Sequence, residues 1–190
     1  MDSIYFYDNS ALYVNLFTPS TLDWKQRSVK ITQVTTFPIG DTTTLTVTGT
    51  GNWAMKIRIP SWTSGATISL NGQSSGVAAN PGSYATLSRN WVSGDTVTVK
   101  LPMKLRTVAA NDNKNIVAIA YGPTILSGNY GQQSLSSMPS LALDSVRRSN
   151  SNSLAFTGTA NGKAVDIGPF YDAHNINYNV YWTFTGQFAA

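Results

Sequence analysis

Cysteine and glutamate do not occur in this sequence of 190 residues, and histidine occurs once, as His174. Without cysteine the chain can form no disulfide, no thiolate metal site and no thiol nucleophile. Without glutamate, all nine acidic side chains are aspartates. Because glutamate usually fills exposed helix positions, its absence predicts that the chain contains little helix.

Charge is also scarce, at 12% of residues with a net charge of +4. The thirteen lysines and arginines are scattered singly, apart from Arg147-Arg148, whereas nucleic-acid binding requires a focused basic patch. We therefore expect no nucleic-acid partner. An anionic polysaccharide fits better, and a thinly charged surface with no acidic partner fits best. No apolar stretch approaches 18 residues, so we expect no membrane span.

Segments in which apolar and polar residues alternate are abundant instead, with turn residues between them. In residues 53–59 every second side chain is apolar, which is the pattern of a half-buried strand. Asn71-Gly72 is a strong signal for a hairpin turn. The sequence predicts an all-β protein of two tandem antiparallel β-sandwich modules, residues 1–103 and 104–190.

The second module has longer polar segments than the first. Residues 116–120 are apolar on both faces, as in a strand that is covered on both sides. Residues 127–140 and 147–153 are rich in small polar residues and are predicted to be loops. Further strands are expected around residues 154–157, 164–167 and 178–184. Residues 1–3 lead directly into a strand-like segment, as expected if a longer protein precedes them.

A series of short motifs spans nearly the whole chain. In order, they are Tyr13-Val14-Asn15-Leu16-Phe17, Arg58-Ile59-Pro60-Ser61-Trp62, Asn71-Gly72, Trp91 with residues 94–102, residues 117–123, and residues 169–174 with residues 178–182. In this order the motifs resemble the region that follows the catalytic barrel in family 127 glycoside hydrolases, the β-L-arabinofuranosidases and their relatives.

The resemblance implies a parent enzyme in which an (α/α)6 barrel precedes two β-sandwich modules. In that family a catalytic cysteine belongs to the barrel, within a zinc site of three cysteines and one glutamate. None of these residues can be carried over, because this chain has neither cysteine nor glutamate. The resemblance therefore implies a non-catalytic region without metal or cofactor, which packs against the barrel, contributes contacts to a homo-oligomer, or both.

Few residues offer catalytic chemistry by themselves. The aspartates Asp8, Asp41, Asp95 and Asp112 stand beside Gly, Asn or Thr, in turn contexts where aspartate usually hydrogen-bonds its own backbone. We therefore expect no catalytic pair of carboxylates.

The single imidazole is a poor catalytic or metal-binding candidate. His174 has only Asp172 close in sequence, and an extended segment would allow a hydrogen bond between the two. Asn111-Asp112-Asn113, with Asp144 or Asp172, offers oxygen ligands for calcium, but ordinary turn chemistry explains these residues better.

Aromatic side chains are the remaining candidates, because sugar-binding modules hold sugar rings against exposed aromatic faces. The tentative carbohydrate-binding residues are Trp24, Trp62, Tyr84, Tyr130 and Tyr171, of which the two tryptophans flank polar loops and are the strongest. Trp53 and Trp182 are in phase with apolar neighbours and are assigned to the core, and Trp91 is assigned to the core or its rim.

Three functions follow from these observations. The first is the accessory region of a family 127 glycoside hydrolase, which is inactive alone. The second is a carbohydrate-binding module that recognises plant-type polysaccharide through exposed aromatic rings. The third is a small hydrolase or lyase that uses Asp or Tyr, which the absence of Glu and the single His disfavour.

Overall fold

The computed structural model describes residues 4–189. Within that range the regular structure consists of strands and two single 3-10 turns, Lys25–Arg27 and Phe170–Asp172, with no α-helix. The all-β class predicted from the sequence is confirmed. The predicted lead into the first strand from residues 1–3 lies outside the described residues. Within the described range there is no helix with the length and apolar character that crossing a membrane requires.

The chain divides between Met103 and Lys104 into two compact units. The strands of unit 1 are β1 (Tyr5–Tyr7), β2 (Ala11–Val14), β3 (Ser20–Trp24), β4 (Val29–Thr35), β5 (Thr42–Thr48), β6 (Gly51–Ile59), β7 (Thr67–Leu70), β8 (Gln73–Ser74), β9 (Ser83–Trp91) and β10 (Thr96–Lys100). The strands of unit 2 are β11 (Leu105–Ala109), β12 (Val117–Tyr121), β13 (Thr124–Asn129), β14 (Ser140–Arg148), β15 (Phe156–Ala160), β16 (Lys163–Pro169), β17 (Tyr178–Asn179) and β18 (Tyr181–Thr185).

Unit 1 contains two sheets around one apolar core. The strands β1, β2, β6 and β9 form a four-stranded sheet in that order, and β3, β4, β5, β10, β7 and β8 form a six-stranded sheet. Both sheets supply buried side chains to the same core cluster. In β6 every second side chain from Trp53 to Ile59 is buried, as its alternation predicted.

Three tryptophans connect the two sheets of unit 1. The rings of Trp53 and Trp91 stack with centroids 4.8 Å apart, and Trp91 Nε1 donates a 2.9 Å hydrogen bond to the carbonyl oxygen of Trp53. Trp24, from the six-stranded sheet, meets Trp53 edge to face at 5.4 Å. Large aromatic rings dominate the energy of such cores. The core assignments of Trp53 and Trp91 are confirmed.

The predicted hairpin turn at Asn71-Gly72 joins β7 to β8 and also holds a second turn in place. Both residues have positive φ, 50° and 77°, as a two-residue hairpin turn of this type requires. The Asn71 side chain donates to Asp95 Oδ1 at 2.8 Å and accepts from the Thr96 backbone N–H at 2.8 Å. Asp95 Oδ2 in turn accepts from the Val92 N–H at 3.0 Å and lies 3.4 Å from Arg89.

The buried carboxylate of Asp95 should make unit 1 sensitive to acid. Burial raises its pKa, but the hydrogen bonds from Asn71 and Val92 and the charge of Arg89 outweigh burial, so the net pKa is below the ordinary 3.8. An unfolded Asp95 takes up a proton before the folded one does. Its contribution to stability is therefore complete above the unfolded pKa and disappears as the pH falls through the lower folded pKa.

We expect Asp95→Asn to be less stable than the unmodified chain at pH 7, by about 1–2 kcal/mol, because an acceptor and a charge partner are lost. The difference should shrink as the pH falls below the unfolded pKa and then through the lower pKa of the folded carboxylate, because the native side chain becomes protonated there. Urea unfolding of unit 1 across this pH range measures both quantities. An Asp95→Asn variant whose deficit does not change with pH would show that the carboxylate charge is not stabilising.

Unit 2 is a closed barrel rather than the second sandwich that the sequence predicted. Six strands form a ring in the order β12, β18, β14, β15, β16, β13 and back to β12. The extra pairing of β12 with β13 closes the ring, because β12 pairs with β18 through Val117 and Ala118 and with β13 through Ile119 to Tyr121. Val117 to Ala120 are all buried, as predicted for a covered strand.

Two other details of the topology differ from the sequence prediction. The strands are mostly antiparallel, but β2 pairs with β6, and β14 with β18, in parallel. In addition, β3 was not predicted, and β14 occupies residues 140–148, although its last residues were expected to form a loop. Pairing between distant segments, which no local pattern encodes, produces both parallel pairs.

A tryptophan and two glycines shape the interior of the barrel. Trp182 is fully buried, which confirms its assignment to the core, and its ring lies against the backbone of Gly128. A Cβ atom on Gly158 would lie 3.2–3.4 Å from Ile167, Val146 and Leu141. Both glycines therefore occupy positions where core side chains come close to the backbone.

Candidate functional site

Trp24, predicted to be an exposed ring, lies in the core. Only 1% of Trp24 is accessible, and its ring contacts Tyr7 and Trp53 at centroid distances of 5.5 and 5.4 Å. The prediction of exposure is wrong because β3 pairs Trp24 with Val29 and turns its ring towards the other sheet. The polar neighbours Asp23 and Lys25 gave no indication of that contact.

The other two candidates in unit 1 differ in exposure. Trp62 is half-buried and stacks on Phe37 at 6.2 Å, so much of its ring is covered by the protein itself. Tyr84 is 43% exposed, with its ring edge-on to Tyr13 at 5.6 Å and its hydroxyl donating to Asn15 Oδ1. Of the two, Tyr84 has the ring that a partner could cover.

The two candidates in unit 2 also lie in unlike surroundings. Tyr130 is half-buried against Trp182, at a ring distance of 6.4 Å, and burial raises its pKa. Tyr171 is 56% exposed, next to a pair of exposed rings, Phe170 and Tyr178, with centroids 5.3 Å apart. Among residues 4–189, no ring contact joins any two of the five predicted candidates. They do not form one aromatic platform.

The outer face of the four-stranded sheet carries a group of polar and aromatic side chains that the sequence analysis missed. Cross-strand pairs place Phe6 beside Tyr13, and Tyr13 beside Lys56. A second pair, Arg58 with Tyr84, lies along the same face. We call this surface the outer face of unit 1; its residues are Phe6, Tyr13, Asn15, Lys56, Arg58 and Tyr84.

Hydrogen bonds fix the geometry of the outer face. Lys56 Nζ donates to the Tyr13 hydroxyl at 2.9 Å, and that hydroxyl donates to Asp8 Oδ2 at 3.1 Å. Hydrogen bonds from the backbone and side chain of Ser10 and the backbone of Ala11 lower the pKa of Asp8 to about 2. The hydrogen bond to Tyr13 raises the pKa of Lys56. The face therefore presents a fixed ammonium group and oriented rings at neutral pH.

The alternation of side chains in the sequence could have indicated that these residues face outward, but it could not have indicated which strands pair. Tyr13 and Lys56 stand opposite to the buried positions of their strands, so both were expected to face outward. Their contact depends on the parallel register of β2 with β6, across a separation of 43 residues. Without that register, an exposed tyrosine and an exposed lysine have no evident connection.

A second candidate lies at one end of the barrel of unit 2. There β13 ends, β14 begins, and β15 turns into β16 at Asn161-Gly162. The connection formed by residues 130–139 borders a cleft of about 310 Å³, which has apolar walls from Leu135 and Val165 and polar groups from Gln133 and Lys163. Mouths of β-barrels are frequent ligand sites, and this volume is at the small end of their range.

The hydrogen bonds of the aspartates and of the histidine show how these residues are used. Asp8 and Asp95 bond to turn backbone, as predicted. His174 is exposed, and its backbone N–H donates to the Asp172 carbonyl oxygen at 2.8 Å; the two side chains do not bond. In the part of the chain that the structure describes, no three of the His and Asp side chains come together as metal ligands.

Comparisons with known proteins agree with the fold. Residues 11–103 match the family model described as the beta-L-arabinofuranosidase, GH127 middle domain. Among solved structures, a GH127 beta-L-arabinofuranosidase from Geobacillus stearothermophilus T6 aligns with a TM-score of 0.78 and 24% identity. That alignment covers 96% of this chain and 35% of the other. A protein described as a glycoside hydrolase aligns with a TM-score of 0.79 and 21% identity, over 96% of this chain and 37% of its own.

A third structure, a GH127 beta-arabinofuranosidase, aligns with a TM-score of 0.74 and 21% identity. The alignment covers 96% of this chain and 36% of the other. No curated protein sequence matches significantly. The chain thus spans little more than a third of the length of the structures that it resembles, all of which share its fold. The match of residues 11–103 to the GH127 middle-domain model and the three structural matches agree with the resemblance that the motifs predicted.

Proposed function

We propose that this chain is a non-catalytic accessory region of a GH127-type glycoside hydrolase, and that it stabilises a catalytic (α/α)6 barrel by packing against it. The observation that carries the proposal is the match of residues 11–103 to the GH127 middle domain, together with structural relatives nearly three times as long. A region that covers a third of such enzymes leaves the remaining two thirds for the catalytic part.

The chemistry of the chain supports an inactive role. The absence of cysteine and glutamate removes the nucleophile and zinc ligands that the resemblance implies for the parent enzyme. The aspartates with lowered pKa values, Asp8 and Asp95, are held as acceptors for backbone and side-chain donors. A general acid in a glycosidase needs the opposite shift, a raised pKa.

The outer face of unit 1 is the surface that best fits a packing role. Phe6 and Tyr84 are 48% and 43% exposed, and Arg58 is exposed between the two outer strands of that sheet. Exposed aromatic and arginine side chains are enriched at protein interfaces. Because Tyr13, Tyr84 and Lys56 are already held in place, covering them costs little side-chain entropy.

Carbohydrate binding through exposed aromatic rings is the second candidate. Trp24 is buried and cannot contact a sugar, but Tyr171 and the neighbouring rings of Phe170 and Tyr178 are exposed. Two rings 5.3 Å apart on one surface form the kind of patch that a sugar could cover. Substitution of Tyr171 by alanine therefore tests whether this aromatic patch binds a sugar.

The purified chain alone should not hydrolyse aryl β-L-arabinofuranosides, with or without added zinc, because it lacks the cysteine nucleophile and the zinc ligands that the resemblance implies for the parent enzyme. Release of nitrophenol is the measurement, and a GH127 enzyme of full length is the positive control. The longest reading frame that includes this region should encode a barrel and be active in the same assay. Turnover above the blank by a clean preparation of the chain alone would contradict the proposal.

A further inference from the structure

The cleft at the end of the barrel contains hydrogen-bond donors that the protein does not use. Lys163 pairs with Ala160 across β15 and β16, so it lies on the same sheet face as a core residue, at the end of the barrel. Within residues 4–189, neither the side chain of Lys163 nor that of Gln133 forms a hydrogen bond. Asn161 uses its Oδ1 to accept from the Ser140 N–H at 2.9 Å, which leaves its Nδ2 available to donate.

No acidic side chain lines the cleft among the described residues. Its polar groups are amides and one ammonium group, and its walls include Leu135 and Val165. Residues 104–190 contain six basic and four acidic residues, so unit 2 has a net charge of +2. A ligand that fits must offer acceptors, preferably a negative charge, and an apolar face.

Tyr130 adds a polar atom that lacks a partner. Its ring lines the cleft, and its hydroxyl oxygen is buried without a hydrogen bond among the described residues. More than nine in ten buried polar groups have a partner, and an unpaired one costs about 1–3 kcal/mol. The adjacent residues 134–138 are exposed, and within the described chain no hydrogen bond holds them.

We propose that the end of the barrel in unit 2 binds a uronate, a sugar unit that carries a carboxylate. The carboxylate contacts Lys163, the ring lies against Leu135 and Val165, and hydroxyl groups bond to Gln133, Asn161 and the Tyr130 hydroxyl. The site is independent of the packing role proposed for unit 1. It needs no catalytic barrel, so the two proposals can fail separately.

The test is an NMR titration of the purified chain with sodium D-galacturonate, with D-galactose and sodium acetate as matched ligands. Galactose has the ring without the charge, and acetate has the charge without the ring. For a ligand of this size we expect a Kd on the order of 1 mM for galacturonate, with shifts centred on residues 130–135 and 160–165. Both comparison ligands should bind at least about tenfold more weakly.

Two substitutions separate the contacts. Lys163→Met should weaken galacturonate binding by about tenfold and leave galactose unchanged, because one charge-assisted hydrogen bond is lost. Lys30→Met, on the exposed side of β4 in unit 1, removes the same charge and should have no effect. Tyr130→Phe should weaken binding severalfold while the free protein stays as stable or becomes more stable, since an unpaired hydroxyl is removed.

Several results would overturn the proposal. Equal affinity for galactose and galacturonate would show that the carboxylate is not recognised, and equal affinity for acetate would show binding of a simple anion. If Tyr171→Ala abolishes binding and Lys163→Met does not, the ligand lies on the exposed aromatic patch. A loss of stability in Tyr130→Phe would show that its hydroxyl has a structural partner.

Discussion

Replacement of Trp91 by alanine should lower the free energy of unfolding of unit 1 by about 4 kcal/mol. Trp91 is 1% exposed, stacks on Trp53 and donates its indole N–H to the Trp53 carbonyl oxygen. Alanine would leave a cavity beside the aromatic group that connects the two sheets, and it would leave that carbonyl oxygen without this donor. A loss of this size is a large part of the stability of a domain of about 100 residues.

Urea unfolding monitored by circular dichroism measures the effect, and Trp62→Ala is its matched control. The control makes the same substitution in the same unit, but Trp62 is half-buried, so we expect less than half of the loss. Trp182 is the single tryptophan of unit 2, and its environment should not change in either variant. Equal losses for Trp91→Ala and Trp62→Ala would contradict the central position of Trp91.

Substitution of Gly128 by alanine should destabilise unit 2 by about 3 kcal/mol, through overpacking rather than a cavity. A Cβ atom at this position would lie 2.4 Å from Cη2 and 2.9 Å from Cζ2 of Trp182. Both atoms belong to a rigid, fully buried ring, which cannot turn aside without moving its neighbours. Tyr130 Cε2, at 3.2 Å, limits the remaining space.

Gly168→Ala is the control for this prediction within the same barrel. Nothing lies within 4 Å of a Cβ atom at Gly168, and its φ is not in the left-handed region. This variant should be neutral or slightly more stable, because alanine has less freedom in the unfolded chain. Thermal unfolding of both variants, and of Gly128→Ala combined with Trp182→Leu, tests the contact. If the smaller leucine does not recover stability, the clash with Trp182 is not the cause.

Where one face of a strand is buried, the local pattern of the sequence was sufficient to predict it. Alternation in β6 identified the buried positions from Trp53 to Ile59, and the apolar run in β12 indicated a strand covered on both sides. Asn71-Gly72 identified its turn because its backbone conformation is favoured by those two residues. These signals lie within a few residues of the feature that they predict.

The missed strand β14 shows how an irregularity hides a pattern. Its buried apolar residues are Leu141, Leu143 and Val146, with spacings of two and then three. The pairing with β15 shifts register between Ala142 and Arg147, where a bulge adds residues to one strand. Period-two alternation is lost at that point, and the last two residues of the strand, Arg147 and Arg148, were predicted to belong to a polar loop.

The candidate sites were harder to predict than the fold, because they depend on contacts between distant segments. Trp24 was assigned to the surface from its polar neighbours, although its environment is set by Trp53, 29 positions away. The barrel likewise requires β12 to pair with both β13 and β18, the second of which lies 60 residues further along. Single-sequence patterns contain no information on such pairings.

Closure of the barrel also leaves unit 2 with fewer end strands than unit 1, and end strands are where aggregation begins. Each of the six strands in the ring has a neighbour on both sides, which leaves the five-residue β11 and the two-residue β17 as the end strands of unit 2. The sheets of unit 1 end in β1, β9, β3 and β8, and β9 is the longest of these edges, at nine residues. Strand addition from a partly unfolded copy would therefore begin along Ser83–Trp91.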